Sequence, residues 1–301
     1  MIRTATEGRL QLKESSPPLG GCGALFILAK PGIVAAVTLS GFTGMVVAGR
    51  GLPEAGTGCA CIASLLMMAA GSAVTNNVLD RRMDRQMERL AVRSAALKRV
   101  GTVPAVAAAI ALTTSAVVIA SLLLNTGAAL LLIAAFLSYT LYYTLLLKRH
   151  TMWAAVFGGV PGALPVLIGQ AAVTVHPDAG SLALFLLMLI WQPTHFWLLS
   201  LSHLEEYRGA GVPILPLVKG VRYTRVCIQL GVSALLPASL LLRYVGSCSS
   251  MGGACLLLLG CCYLFACCYF MTNGANYRAA FRCSIAYLLL LFTLIIADIC
   301  R

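Results

Sequence analysis

The stretch GCACIASLLMMAAGSAVTNNVLDRRMDRQMER, residues 58–89, joins two chemistries end to end. No charged residue occurs before Asp80, and the apolar run around it, near 57–79, can cross a bilayer core, which takes about 20 residues of helix. From Asp80 onward the chain is dense in acids and arginines. An apolar run ending this abruptly in charge reads as a membrane-crossing helix whose last turns reach an aqueous face.

Eight further runs of the same kind lie near 27–49, 101–123, 127–147, 152–175, 181–203, 224–246, 251–272 and 280–299. They leave no room for a soluble domain. Of 301 residues, 59% are hydrophobic and 11% charged, where a soluble domain carries roughly 25% charged residues. The expected fold is an all-α membrane bundle of nine transmembrane helices. It forms one polytopic domain over 23–301, behind a cytoplasmic tail at 1–22 that lacks the apolar core of a signal peptide. The lipid bilayer is the medium around most of its exterior.

The net charge of +12 raises the possibility of nucleic acid, and its placement argues against it. With nine spans the connections alternate between two faces. One face takes 19 of the 22 Lys and Arg residues; only Arg50, Arg243 and Arg301 fall on the other. A nucleic-acid surface has no reason to follow span parity, whereas the positive-inside rule produces this pattern and places the N-terminus inside. The twelve cysteines lie mostly in or beside apolar spans without zinc-like spacing, and read as small packing residues. Both long connections, 80–99 and 205–225, fall on the basic face. Function concentrates on such loops when a rigid scaffold holds them.

Asn76, Asp80, Asp84 and Glu88 recur every four residues. Residues at i and i+4 share a helix face, so the first three form a column of oxygen ligands at the inner mouth of the bundle. Like charges in that column repel, and a compensating cation is needed. Mg²⁺ takes carboxylate and phosphate oxygens, and the arginines alongside can grip phosphate bidentately. A solvated helix of Asp–Arg pairs is the plain alternative, but the acids here segregate instead of pairing.

The spacing Asn76-x3-Asp80-x3-Asp84 resembles the first aspartate-rich motif of the UbiA prenyltransferase superfamily. The context Asp80-Arg81-Arg82-Met83-Asp84-Arg85-Gln86-Met87-Glu88-Arg89 is most similar to its heme O synthase branch. That branch usually has a Thr where Leu90 stands; Arg93 is kept. Four later segments follow in family order. Tyr143 to Thr151, with Lys148-Arg149, is similar to a signature of that family, and the Gly- and Pro-rich stretch 156–169 is similar to a family segment and reads as shaping a cavity wall. The segment Trp191-Gln192-Pro193-Thr194-His195 matches an intramembrane histidine segment. For His195 a haem-ligand role and a plain hydrogen-bonded role weigh about evenly. The fourth, Glu205-Glu206-Tyr207 running to Pro216, resembles the second acidic motif, with glutamates replacing the branch's aspartates and Leu204 replacing a lysine.

The resemblance implies a farnesyl transfer from farnesyl diphosphate to heme B that yields heme O. It implies Mg²⁺ held by Asp80, Asp84, Glu205 and Glu206, with either glutamate able to serve. Asp80, Asp84, Arg89, Arg93 and Lys148 would carry the chemistry, and Asn76, Tyr143, His195 and Tyr207 would contact substrate. It further implies a bacterial plasma (inner) membrane, with heme A synthase or terminal oxidase assembly factors as partners. Two rivals are an aromatic prenyltransferase acting on a quinone precursor and a transporter with acidic gates. A transporter needs ionisable residues at mid-membrane, where the spans offer little beyond His195 and Asp298.

Overall fold

The computed structural model of the protein describes residues 20–301, so the tail up to residue 19, with Arg3, Arg9 and Lys13, lies outside the described residues. A short helix α1 (Gly21–Ala29) leads into α2 (Pro31–Gly49) and α3 (Ala55–Leu79). On the basic face follow one turn of helix, Arg81–Asp84, a 3-10 turn, Glu88–Leu90, and α4 (Ala91–Val100). Next come α5 (Thr102–Leu123) and α6 (Thr126–Leu137). The latter continues as a π-helix, Ser138–Leu147, and a last turn, Lys148–His150. Then α7 (Val160–Val173), α8 (Ala179–Ser202), a short α9 (Leu204–Gly209), α10 (Val221–Tyr244), α11 (Ser250–Thr272) and α12 (Tyr277–Ile299) complete the chain. Among the described residues nine helical stretches are long and apolar enough to cross a membrane.

The spans close into a ring. In the first half α2 packs on α3 and α7, α3 on α5, and α6 on α7. In the second half α8 packs on α10, α10 on α11 and α11 on α12. The halves meet where α7 touches α8 and where α12 touches α2. Lipid chains are as apolar as leucine, so such helices associate by close van der Waals fit, which small residues permit. At the α2–α7 crossing a Cβ on Gly44 would stand 2.1 Å from the Val166 carbonyl oxygen, and one on Gly169 would stand 1.9 Å from that of Gly41. The two backbones touch there, and only glycine fits. Large apolar side chains such as Val103, Leu122, Leu258 and Phe265 stay exposed on the outside of the ring, as a surface facing acyl chains requires.

Two features depart from the sequence reading. The run near 27–49 is two helices, because Lys30 turns the chain through a left-handed conformation (φ 56°) and Pro31 starts α2. The run near 152–175 breaks at Gly158–Gly159, after the turn Ala154–Phe157, while α7 passes through Pro165 without interruption. The column of Asn76, Asp80 and Asp84 keeps its register. The helix pauses at Asp80 (φ −88°, ψ 2°); Asp84 stays in step through its N–H to the Asp80 carbonyl (2.9 Å), but Glu88 lies exposed beyond the next turn. The long inner loops are folded, not merely charged. Met87, Leu90, Tyr207, Val212 and Ile214 bury one another in an apolar cluster that joins the two loops.

Candidate active site

The end of α3 carries the site. Asn76 is buried and sits at the centre of a polar junction. Its Oδ1 accepts from Lys30 Nζ (2.6 Å), and its Nδ2 donates to Asp80 Oδ2 (2.9 Å) and Thr144 Oγ1 (3.0 Å). Asp80, 1% exposed, takes Lys148 Nζ on Oδ2 at 2.5 Å and Arg149 Nη2 on Oδ1 at 3.4 Å. Arg149 also caps α3 by donating to the Leu79 carbonyl (3.0 Å). A carboxylate this deeply buried is tolerated because it is paired and hydrogen-bonded on both oxygens.

Asp84 differs. It is 6% exposed, yet among the described residues no donor or cation bonds its carboxylate. Burial raises its pKa, the Asp80 charge adds to the shift, and Lys148, Lys30 and Arg93 oppose it. It opens on a cavity of about 150 Å³ that Asn77, Arg81, Arg85, Arg93 and Lys98 also line. Burial lowers the Arg93 pKa, with Arg89 contributing and Asp84 opposing. A desolvated carboxylate without a partner, beside cations that are costly to bury, fits a hard divalent ion bound together with a phosphate group. No three acid, histidine or cysteine side chains converge among the described residues, so such an ion would draw much of its coordination from substrate oxygens and water.

The second acidic loop reaches the first through one of its two glutamates. Glu206 accepts from the Arg89 backbone N–H (3.3 Å), lies 3.7 Å from Arg89 Nε, and pairs with His203 Nδ1 at 2.9 Å. Arg89 Nη2 donates to the Tyr207 hydroxyl (2.9 Å), and its guanidinium stands 5.2 Å from the Tyr207 ring centre. Glu205 faces away: its side chain is 76% exposed and pairs with Arg208 at 2.6 Å. Residue type could not separate the two glutamates; the helical turn of α9 does.

The π-helix supplies the third wall. Wider winding lets Thr144 Oγ1 donate to the carbonyl of Tyr139, five residues back (2.8 Å), and brings Lys148 onto Asp80. π segments occur often at functional sites. Tyr139 and Tyr143 stack at 5.9 Å, and Gly158 leaves the room that the Tyr143 ring fills. His195 stands further along α8, between Trp191 and Phe281, with Nδ1 2.6 Å from Ser284 Oγ.

Lys30 is one residue the sequence reading missed. It is 8% exposed. Burial pulls its pKa down to about 7, Arg93 and Lys148 act the same way, and Asp84 and Asp80 resist. A lysine just before an apolar run reads as a membrane anchor, and only the left-handed turn at Lys30 folds it back onto Asn76. Thr144 was missed too, because nothing in sequence announces a π-helix.

A ring of membrane-crossing helices with buried acids and basic side chains at one mouth defines an enzyme that handles an anionic, lipid-tailed substrate inside the bilayer. The UbiA prenyltransferase family matches residues 37–295. A protoheme IX farnesyltransferase of Geotalea uraniireducens is 44% identical over 256 residues, covering 85% of this chain and 99% of the relative. One of Aquifex aeolicus is 35% identical, covering 91% and 94%. Among solved structures, an apo UbiA homolog from Aeropyrum pernix K1 superimposes with a TM-score of 0.71 at 17% identity, covering 89% of this chain and 98% of that one. A UbiA homolog from Archaeoglobus fulgidus bound to GPP and Mg²⁺ gives 0.66 at 14%, covering 92% and 99%. The chain belongs to the UbiA prenyltransferase family and is a multi-pass membrane enzyme.

Proposed function

We propose that this chain transfers the farnesyl group of farnesyl diphosphate to a vinyl group of protoheme IX (heme B), making heme O for terminal oxidase assembly. The names of its curated relatives support the substrates. The observation that carries the chemistry is the buried pair Asp80 and Asp84 set among Lys30, Arg93 and Lys148. The domain would span 23–301 of a bacterial inner-membrane protein with its N-terminus inside, since the N-terminal face carries most of the Lys and Arg.

Asp80 and Asp84, with Glu206 across the loops, would meet Mg²⁺ through the diphosphate oxygens and water that complete its coordination, and the ion supplies charge neutralisation for the departing diphosphate. Glu205, turned to solvent, is left out of that set. Lys30, Arg89, Arg93 and Lys148 supply charge-assisted hydrogen bonds to the diphosphate oxygens. Asn76 keeps Asp80 and Lys30 in register. The allylic C–O bond breaks, giving diphosphate and a farnesyl cation. Tyr143, stacked on Tyr139, offers a π face that stabilises cationic carbon, and the apolar walls keep water from it. Tyr207 holds Arg89 and closes the site. The vinyl carbon of the haem bonds to the farnesyl carbon. The cation left on the haem side takes water and releases a proton, giving the hydroxyethylfarnesyl group.

The test is extraction of haems from membranes expressing the chain, separated by mass. A haem heavier than heme B by one farnesyl group plus water is expected, and Asp80→Ala and Asp84→Ala should each abolish it while the protein still inserts. Heme B alone, with the protein present and farnesyl diphosphate supplied, overturns the haem reading and leaves a quinone precursor as the acceptor to try.

A further inference from the structure

His195 is held more tightly than a packing residue requires. Its ring lies between Trp191 (centroids 4.3 Å, planes 21° apart) and Phe281 (4.6 Å, 31°). Trp191 in turn donates its indole N–H to the Ser284 carbonyl (3.1 Å), which pins α8 to α12 at the same turn. Phe196, the next residue, packs edge-on against Tyr207 (6.2 Å), so His195 lies one residue from the wall that holds Arg89.

The hydrogen bonds point to the imidazole nitrogen that carries the proton. Ser284 has one hydroxyl hydrogen, and Oγ stands 2.7 Å from the Phe281 carbonyl oxygen, which can only accept. The same Oγ stands 2.6 Å from His195 Nδ1; with its own hydrogen directed to the Phe281 carbonyl, it accepts one from Nδ1. A neutral imidazole has a single N–H. With that hydrogen on Nδ1, Nε2 carries a bare lone pair. Among the described residues no donor reaches Nε2, and the residue keeps part of its surface exposed. Nε2 is not sealed in, so its lone pair stays open to a ligand. Metal-binding histidines show this arrangement: one nitrogen donates to an oxygen, which sets the tautomer and leaves the other free for the metal.

We infer that His195 ligates the iron of the acceptor haem through Nε2, and that Ser284, on the last span, is the positioning residue that holds the imidazole for it. This rests on the haem reading above and sharpens it. A quinone precursor has no Lewis-acidic centre for the lone pair, whereas a ferric or ferrous porphyrin does. Ligation would fix one haem face against α8 and α12, leaving the macrocycle edge to be turned toward the diphosphate site.

The test uses the purified full chain in lipid nanodiscs with ferric heme B, read by visible absorption and electron paramagnetic resonance beside a farnesyl-transfer assay on the same samples. Wild type should show a nitrogen-ligated haem. His195→Ala and His195→Gln should both lose that signature, and added imidazole should restore it. Ser284→Ala should weaken haem binding about tenfold, the scale of a lost partner to a metal-bound histidine, and alter the spectrum. Ser284→Thr, which keeps the hydroxyl, should behave as wild type. If wild type makes heme O while His195→Gln keeps the wild-type spectrum and affinity, the ligand assignment is wrong and the function stands. If wild type neither binds nor farnesylates haem, both readings fall together.

Discussion

Asp80 and Asp84 sit four residues apart and face opposite energetic problems. Asp80 is paired on both oxygens, so Asp80→Asn leaves Lys148 and Arg149 without their anion; breaking a buried pair costs about 3–5 kcal/mol. Lys148 keeps 15% and Arg149 41% of its side chain exposed, so solvent reduces the loss and the lower figure is expected. Asp84 has burial and no partner, so Asp84→Asn should leave the unliganded protein as stable as wild type or more so. Thermal unfolding in detergent without Mg²⁺ or diphosphate checks this, and equal losses in both variants would refute the contrast. Adding both ligands should raise the wild-type midpoint and leave that of Asp84→Asn unmoved, as binding linkage requires. The glutamates give a second contrast. Glu206→Ala should cut farnesyl transfer at least tenfold, about 1.4 kcal/mol of lost transition-state stabilisation, and Glu205→Ala should stay within twofold in the same steady-state assay. The i,i+4 spacing made Asp80 and Asp84 legible from sequence. Lys30 was not, because its role depends on a backbone turn and not on its neighbours' identities.

Nine spans were readable element by element, since bilayer thickness sets one length for all of them. The breaks were not. A proline inside a span reads as an interruption, yet Pro165 is accommodated in α7 and the chain turns instead at Gly158–Gly159. There a Cβ on Gly158 would meet Tyr143 Cδ2 at 2.3 Å and the Ala154 carbonyl oxygen at 2.4 Å. Gly158→Ala should therefore displace the tyrosine at an overpacking cost of about 1–3 kcal/mol, seen as a lower unfolding midpoint and roughly tenfold slower transfer. Gly49→Ala, which meets open space, is the control and should change neither. The contact between the inner loops did leave a trace in sequence. Met83, Met87 and Leu90 fall at helical spacing, a pattern that the charges around them obscure.

Across the whole molecule, the charge bias predicts a face for every loop, with the N-terminus inside. Cys22, at the start of the described chain, and Cys300, at its end, are both exposed. With an odd number of spans they stand on opposite faces. Variants that keep one of these cysteines and no other should react differently with an impermeant thiol reagent in intact cells: Cys300 labelled, Cys22 protected until the membrane is opened. Labelling of both from outside would overturn the topology. The ring also buries its spans unequally. In the most apolar 18 residues of each span, 56% are buried in α3 against 17% in α5, so α3, which carries the site, is the best shielded from lipid. The acids stand at the end of α3 and not half-way along it, so separating a carbocation from diphosphate there moves little charge through the transmembrane voltage. A full charge crossing 100 mV would gain or lose about 2.3 kcal/mol; this reaction is spared nearly all of that. A cell with a collapsed potential could run it as fast as an energised one, and so could furnish the pigment of an oxidase before any oxidase had charged the membrane.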